Sequence, residues 1–286
     1  GVTDDTAAIQ AALNGATQGS TVFIPAGTYN ITGLTIAKSI LLKGAGTVYR
    51  WATGTSGTIL NYTGAANAIT ISNIAGDHLG GIAFEGFELK PSVVGAGQHG
   101  IYFSNTNSAN VTIHNILLND VAIRNFGGSG IYSTGTVFDV SLNRVNTRGN
   151  VGDGIKIVAG DGTPGQWRFN DCFLATNTGV WAANLFCNGS YFTGGTVAGS
   201  GTGHGVWIQN FGHVYNVHFE GTGSDANSIA LKYTGSSGCI VGSAPIASWG
   251  YGIVCDGRAM TILDLDNNNI TQDLRITNGG SRERCI

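Results

Sequence analysis

The sequence predicts an all-β chain wound as a single-stranded parallel β-helix, a solenoid preceded by a short capping α-helix. Two observations carry this. A phrase of glycine, aliphatic residue and outward-facing side chain recurs as Gly100-Ile101-Tyr102, Gly130-Ile131-Tyr132, Gly154-Ile155-Lys156, Gly179-Val180-Trp181, Gly205-Val206-Trp207, Ser228-Ile229-Ala230 and Gly252-Ile253-Val254. Its step is about 24 residues, the range in which each repeat is one rung that buries its apolar face on its neighbours. Within the phrase, apolar residues alternate with others, as in Ile101 and Phe103, Ile155 and Ile157, or Val206 and Ile208. A period of two marks strands, not helices. A second strand family, including Phe138-Asp139-Val140, Trp167-Arg168-Phe169 and His213-Val214-Tyr215, recurs at a similar spacing. Two or more strands per turn, each stacked on its counterpart in the next turn, make a β-helix. Leucine-rich repeats share the period but need a Leu ladder and an Asn column, and neither is present.

Composition agrees. Only 11% of the 286 residues are charged while 46 are Gly, which suits many tight turns and an exterior of Ser, Thr and Asn. A hydrophobic content of 42% excludes disorder. The net charge of −3 offers nucleic acid no electrostatic footing. No apolar run reaches membrane-spanning length, and no secretion signal opens the chain, so membrane insertion is not expected.

In chain order, residues 1–20 form the cap. Thr3 is the expected N-cap, Asp4 and Asp5 complement the positive helix start, Ile9 and Leu13 share an apolar face, and Asn14-Gly15 stops the helix. The cap covers strand edges that would otherwise template aggregation. Residues 21–80 are read as first, irregular coils, with an excursion between Gly46 and Gly80. Residues 81–278 are regular coils, and 279–286 a polar tail, all in one domain. The five cysteines match no zinc spacing and are read mostly as core fillers, Cys255 at an inward position.

The run GVTDDTAAIQAALN, then Val22-Phe23-Ile24-Pro25-Ala26-Gly27-Thr28-Tyr29, then Lys43-Gly44-Ala45-Gly46, resembles the N-terminal signature of pectate-lyase-superfamily β-helices. In particular it resembles the tailspikes and capsule depolymerases of bacteriophages. That resemblance implies a right-handed helix, a polysaccharide substrate or receptor, a homotrimer, and an extracellular or virion-surface location. It covers about the first 46 residues by motif and the remainder by period.

The position after each anchor aliphatic reads Tyr102, Tyr132, Lys156, Trp181, Trp207 down the stack. With strands about 4.8 Å apart, these five side chains form a ladder about 19 Å long. Exposed rings suit the C–H faces of sugars, and Tyr102, Tyr132, Trp181 and Trp207 are the candidate substrate-binding residues. Such a ladder also suits a subunit interface. Two positions before the anchor stands a mostly polar column of His99, Ser129, Asp153, Thr178, His204, Asn227 and Tyr251. Gly152-Asp153-Gly154-Ile155 and Gly203-His204-Gly205 resemble catalytic phrases of polygalacturonases, two rungs apart. The rung between carries Asn177-Thr178-Gly179 where that branch has paired aspartates, and Lys232 alone represents its later Arg-Ile-Lys. Asp153 and His204, together with Lys156 of the outward ladder, are the candidate catalytic residues.

Hydrolysis needs a second carboxyl group about 5–5.5 or 6.5–9.5 Å away, for which Asp120, Asp171 and Glu220 are the candidates. Lyase chemistry needs a base and cations beside a uronate carboxyl, which Lys156 with Arg124, Arg148 or Tyr132 could supply. The run Asp264-Leu265-Asp266-Asn267-Asn268-Asn269 starts like a calcium loop but lacks the Gly and the final Glu, so it reads as a turn. No metal and no cofactor are expected. The functional reading is a polysaccharide-recognising and polysaccharide-degrading β-helix. A non-catalytic structural or adhesin β-helix and a free secreted lyase or hydrolase are the alternatives.

Overall fold

The computed structural model describes residues 3–47, 57–72, 77–105, 111–160, 162–199, 203–222, 225–257 and 259–263, and the backbone of 267–268 and 272–276. The chain is a right-handed parallel β-helix with three faces. Each coil runs along a first face (for example Val137–Asn143, Gln166–Asn170, Gly189–Thr193, Phe211–Tyr215), then a second (Asn146–Arg148, Phe173–Ala175, Thr196–Ala198, His218–Glu220), then a third. The third face is a ten-stranded parallel sheet that includes Ile101–Ser104, Ile131–Thr134, Ile155–Val158, Trp181–Leu185, His204–Ile208, Ile229–Tyr233 and Tyr251–Cys255. The first two faces hydrogen-bond as one sheet because Leu79–Pro91 and Ile113–Arg124 run through the corner between them.

The period-two pattern does what it predicts. Ile101, Ile131, Ile155, Ala183, Val206, Leu231 and Ile253 stack in register down the third face, each fully buried. Burying one Val, Leu or Ile side chain contributes about 1.5–3 kcal/mol, and the stack repeats it at each of these coils except that of Ala183. Cys172, Cys187, Cys239 and Cys255 are buried free thiols, and burial pushes the first three up to about 12. They are inert core residues. Cys285 lies outside the described residues, as does the tail at 279–286.

The turns explain several acidic residues. Between the first and second faces the chain turns on a left-handed residue in coil after coil: Gly86, Asp120, Arg144, Asp171, Gly194, Asn216 and Ser243, all with φ between 48° and 68°. Short polar side chains tolerate that region best after glycine. Asp120 also pairs with Arg144 of the next coil at 2.6 Å. Asp120 and Asp171 are thus turn residues.

The cap is a helix over Thr6–Gly15 that buries Ile9 and Leu13. Gln10 closes the open strand edge as another strand would: its amide accepts from Thr35 N–H (2.9 Å) and donates to Thr35 O (3.0 Å). Lys38 covers the helix C-terminus through the carbonyls of Asn14 and Ala16. The start differs from expectation. Asp4, not Thr3, accepts the Thr6 N–H at 2.9 Å, and Asp5 accepts from Asn30 N–H. A carboxylate two residues before the first free N–H reaches it more easily than a hydroxyl three residues away. In the early coils, Thr58–Tyr62 and Ile69–Ser72 register on Gly27–Ile31 and Leu34–Ile36, and residues 48–56 lie outside the described ones. Asn267–Asn268 pair with Ile246–Ala247 as a short strand, so that part of the asparagine run is not the expected turn.

Candidate functional site

The outward columns of the third face define the site, and their register corrects the sequence alignment. Tyr102, Tyr132, Lys156, Asn184, Trp207, Lys232 and Val254 form the column after the anchors. Trp181 is not in it. It pairs with His204 one column over, where Thr178 was expected, and Ile229 stands there in place of Asn227. The cause is an extra residue in the coil. Gly179 N–H bonds to Gly152 O (3.1 Å), yet Ile155 pairs with Ala183, so Val180 and Trp181 together oppose Asp153. This is a bulge, a device that re-aims a side chain beside a site. The Trp181 N–H that the bulge frees is taken by Asp153 Oδ1 at 2.9 Å.

The turn ahead of Asp153 is fixed from inside. Asn150 and Asn177 stack as a buried amide pair (2.8 Å), with Asn150 accepting Phe126 N–H and Asn177 donating to Thr147 O. Gly128, Gly152 and Gly179 lie directly on one another: a Cβ on Gly179 would stand 2.4 Å from Gly152 C, and one on Gly152 would stand 2.6 Å from Gly128 C. Only glycine permits that approach. These glycines line an open cleft of about 550 Å³ with His99, Ser129, Tyr132, Asp153, Lys156, Val180, Trp181, Asn184 and Trp207.

Asp153 sits deep in the cleft, 6% exposed. Burial raises its pKa, against the opposing pull of the Trp181 N–H, the Lys156 charge and the Asn184 amide. It is the one carboxylate among the described residues that line the cleft. His99 stacks on Tyr132 (ring centroids 4.4 Å, 16° between planes), and Tyr132 stacks on Tyr102 (5.6 Å). His99 Nδ1 accepts the Ser129 N–H at 2.8 Å. Burial lowers its pKa, so the ring is neutral with its proton on Nε2, a donor. Burial, then Tyr102, raises the Tyr132 phenol. At the other end Trp181 packs on His204 (4.6 Å) and Trp207 (5.5 Å). His204 Nδ1 likewise accepts a backbone N–H, from Ile229 (3.1 Å), and burial lowers its pKa. Trp207 is locked: its Nε1–H donates to Thr234 Oγ1 (3.0 Å), and Lys232, ion-paired to Asp256 at 3.5 Å, lies 5.2 Å from its ring.

Of the sequence candidates, Asp153, Lys156, Tyr132, Trp181 and Trp207 meet in this cleft. Tyr102 stacks beyond it and His204 stands behind Trp181. Trp181 is only 5% exposed, so it is a packed wall and not an open platform. Glu220 lies in a second-face strand, and Arg124 is tied to buried Glu88 at 2.6 Å on that face with Arg148 in register beside it. None of these serves the cleft. Sequence reading missed His99 and Asn184 as cleft donors. The first was visible in the polar column, and the second was hidden by the bulge. Among the described residues no group of three or more His, Cys, Asp or Glu side chains could hold a metal.

Compared with solved structures, the chain aligns over 97% of its length with tailspike protein 2 of an Escherichia coli O157:H7 bacteriophage (TM-score 0.62, 14% identity, 40% of that chain). It aligns over 96% with a tailspike of the Acinetobacter baumannii bacteriophage Fri1, a capsular polysaccharide depolymerase (0.60, 13%, 54% of that chain). In fold it is similar to phage tailspike β-helices. The A-module of an Azotobacter vinelandii mannuronan C-5 epimerase matches over 98% of this chain and 95% of its own (0.51, 17%). The chain thus spans about half the length of the tailspikes it matches. No protein-family model and no curated protein sequence matches it.

Proposed function

We propose that the protein acts on a uronic-acid-containing polysaccharide at an extracellular or virion surface, cleaving it by β-elimination in the Asp153 cleft. One observation carries the reading: a single buried carboxylate of raised pKa faces a cleft whose other titratable and amide groups are donors. Among the described residues that line the cleft, none offers the second acid that paired-carboxyl hydrolysis uses. Abstraction of the proton beside a uronate carboxyl needs one base, and its optimum pKa lies nearer neutrality than an ordinary Asp. The similarity in fold to polysaccharide-acting β-helices agrees with this.

In the proposed step, Asp153 takes the C5 proton and the electron pair forms the C4–C5 double bond. The C4–O bond then breaks, and the leaving oxygen takes a proton from the Tyr132 hydroxyl. Lys156, Asn184 and the His99 Nε2–H stabilise the negative charge that builds on the carboxyl group. Trp207 holds a neighbouring sugar ring. His204 packs Trp181 in place and acts as a positioning residue. Incubation with a panel of acidic and neutral polysaccharides is expected to raise ultraviolet absorbance only with uronate polymers. New reducing ends without absorbance would establish hydrolysis instead, and binding without cleavage an adhesin.

The same reading includes a homotrimer. What supports it is a second set of rings away from the cleft, on the first face: Tyr191, Phe211 and His213 pack together (4.9–5.9 Å), and Tyr215 is 50% exposed beside them. Exposed rings of this kind favour contact between subunits. Light scattering is expected to give three times the chain mass of 29.5 kDa, and Tyr215→Ser to lower it. A wild-type monomer would remove assembly from the account.

A further inference from the structure

The bulge opposite Asp153 places a side chain that the proposed chemistry does not use. Val180 is 62% exposed, as are several other large apolar residues to a similar degree, but among the described residues it is the one aliphatic side chain that lines the cleft. Its backbone is committed, since its carbonyl accepts the His204 N–H at 2.8 Å. Its isopropyl group packs into no core. Around it stand Asp153, Trp181, Asn184 and the glycine wall of Gly152 and Gly179, so an apolar group faces open space beside a carboxylate and an amide.

We infer that Val180 is a specificity-determining residue, which selects sugars carrying a methyl-bearing substituent, such as an O-acetyl ester, next to the reacting uronate. The inference rests on the proposed uronate cleft and names what that cleft prefers. Bare hydroxyls facing Val180 lose hydrogen bonds to water and gain none. An acetyl methyl loses nothing and removes apolar surface from water on both sides. The glycine wall leaves the width that the substituent needs. One methyl-sized contact in a pocket discriminates by roughly 10–200-fold, and this open cleft belongs at the low end.

The test uses two uronate polymers in paired forms: native xanthan beside alkali-deacetylated xanthan, and chemically O-acetylated alginate beside plain alginate. Affinity electrophoresis with the Asp153→Asn variant, whose slow turnover leaves the polymers largely intact, reads binding. About tenfold tighter binding of the acetylated form is expected in either pair. Val180→Thr has the same shape but presents a hydroxyl, so it should abolish the preference without altering the thermal melt. Equal binding of both forms, or a preference that survives Val180→Thr, would overturn the inference and leave the uronate reading standing. Binding to none of the four polymers would overturn that reading and this inference with it.

Discussion

Asp153→Asn is expected to lower turnover by about 10²–10⁴-fold and leave saccharide binding nearly unchanged. The amide keeps the shape and can still accept the Trp181 N–H, but it cannot take a proton. Its effect on stability has the opposite sign. Because burial raises the pKa of Asp153 in the folded chain, its contribution to stability is lost as pH rises from the ordinary Asp range through the raised value. At neutral pH the ionised, buried carboxylate is a net cost, so the variant should melt at the same temperature or higher. The same shift moves the acid limb of kcat/KM to higher pH than an ordinary Asp would give. A variant that turns over at the wild-type rate would show that Asp153 merely shapes the bulge.

Trp181→Ala and Trp207→Ala are expected to separate, although sequence alone places both on one exposed ladder. Trp181 is buried between His204, Trp207 and Asp153, so truncation should cost about 3 kcal/mol of stability and disturb the carboxylate. Trp207 is half-exposed and held by Thr234 and Lys232. Its loss should leave the melt close to wild type and weaken binding by roughly 1–3 kcal/mol. Denaturant melts together with affinity electrophoresis on a uronate polymer check the pair. Equal stability losses would mean that Trp207 is also a packing residue.

The fold was legible because its information is periodic and local. Ile101, Ile131 and Ile155 repeat one environment, and a rung that buries its aliphatic residues leaves little choice of strand phase. The candidate cleft was legible as far as that phase held, through Tyr132, Asp153 and Lys156. It failed at Gly179-Val180-Trp181, which satisfies the phrase as well as Ala182-Ala183-Asn184 does. A single inserted residue is invisible to a pattern whose spacing already varies, and only hydrogen bonding shows which glycine stacks on Gly152. The same slip placed Ala230 where Lys232 stands, since Ile229 and Leu231 are both aliphatic. Asp120 and Asp171 read as free acids because a left-handed turn leaves no composition signal beyond the Asp itself. The second-face strands were missed as a separate family because many are three residues long, too short to show alternation.

The most direct test of the account is the crystal structure of Asp153→Asn with a bound uronate oligosaccharide. One sugar carboxylate is expected against Lys156 and Asn184, with its C5–H directed at the position 153 side chain and the next ring on Trp207. A saccharide bound along the first-face rings near Tyr215, with the cleft empty, would contradict it.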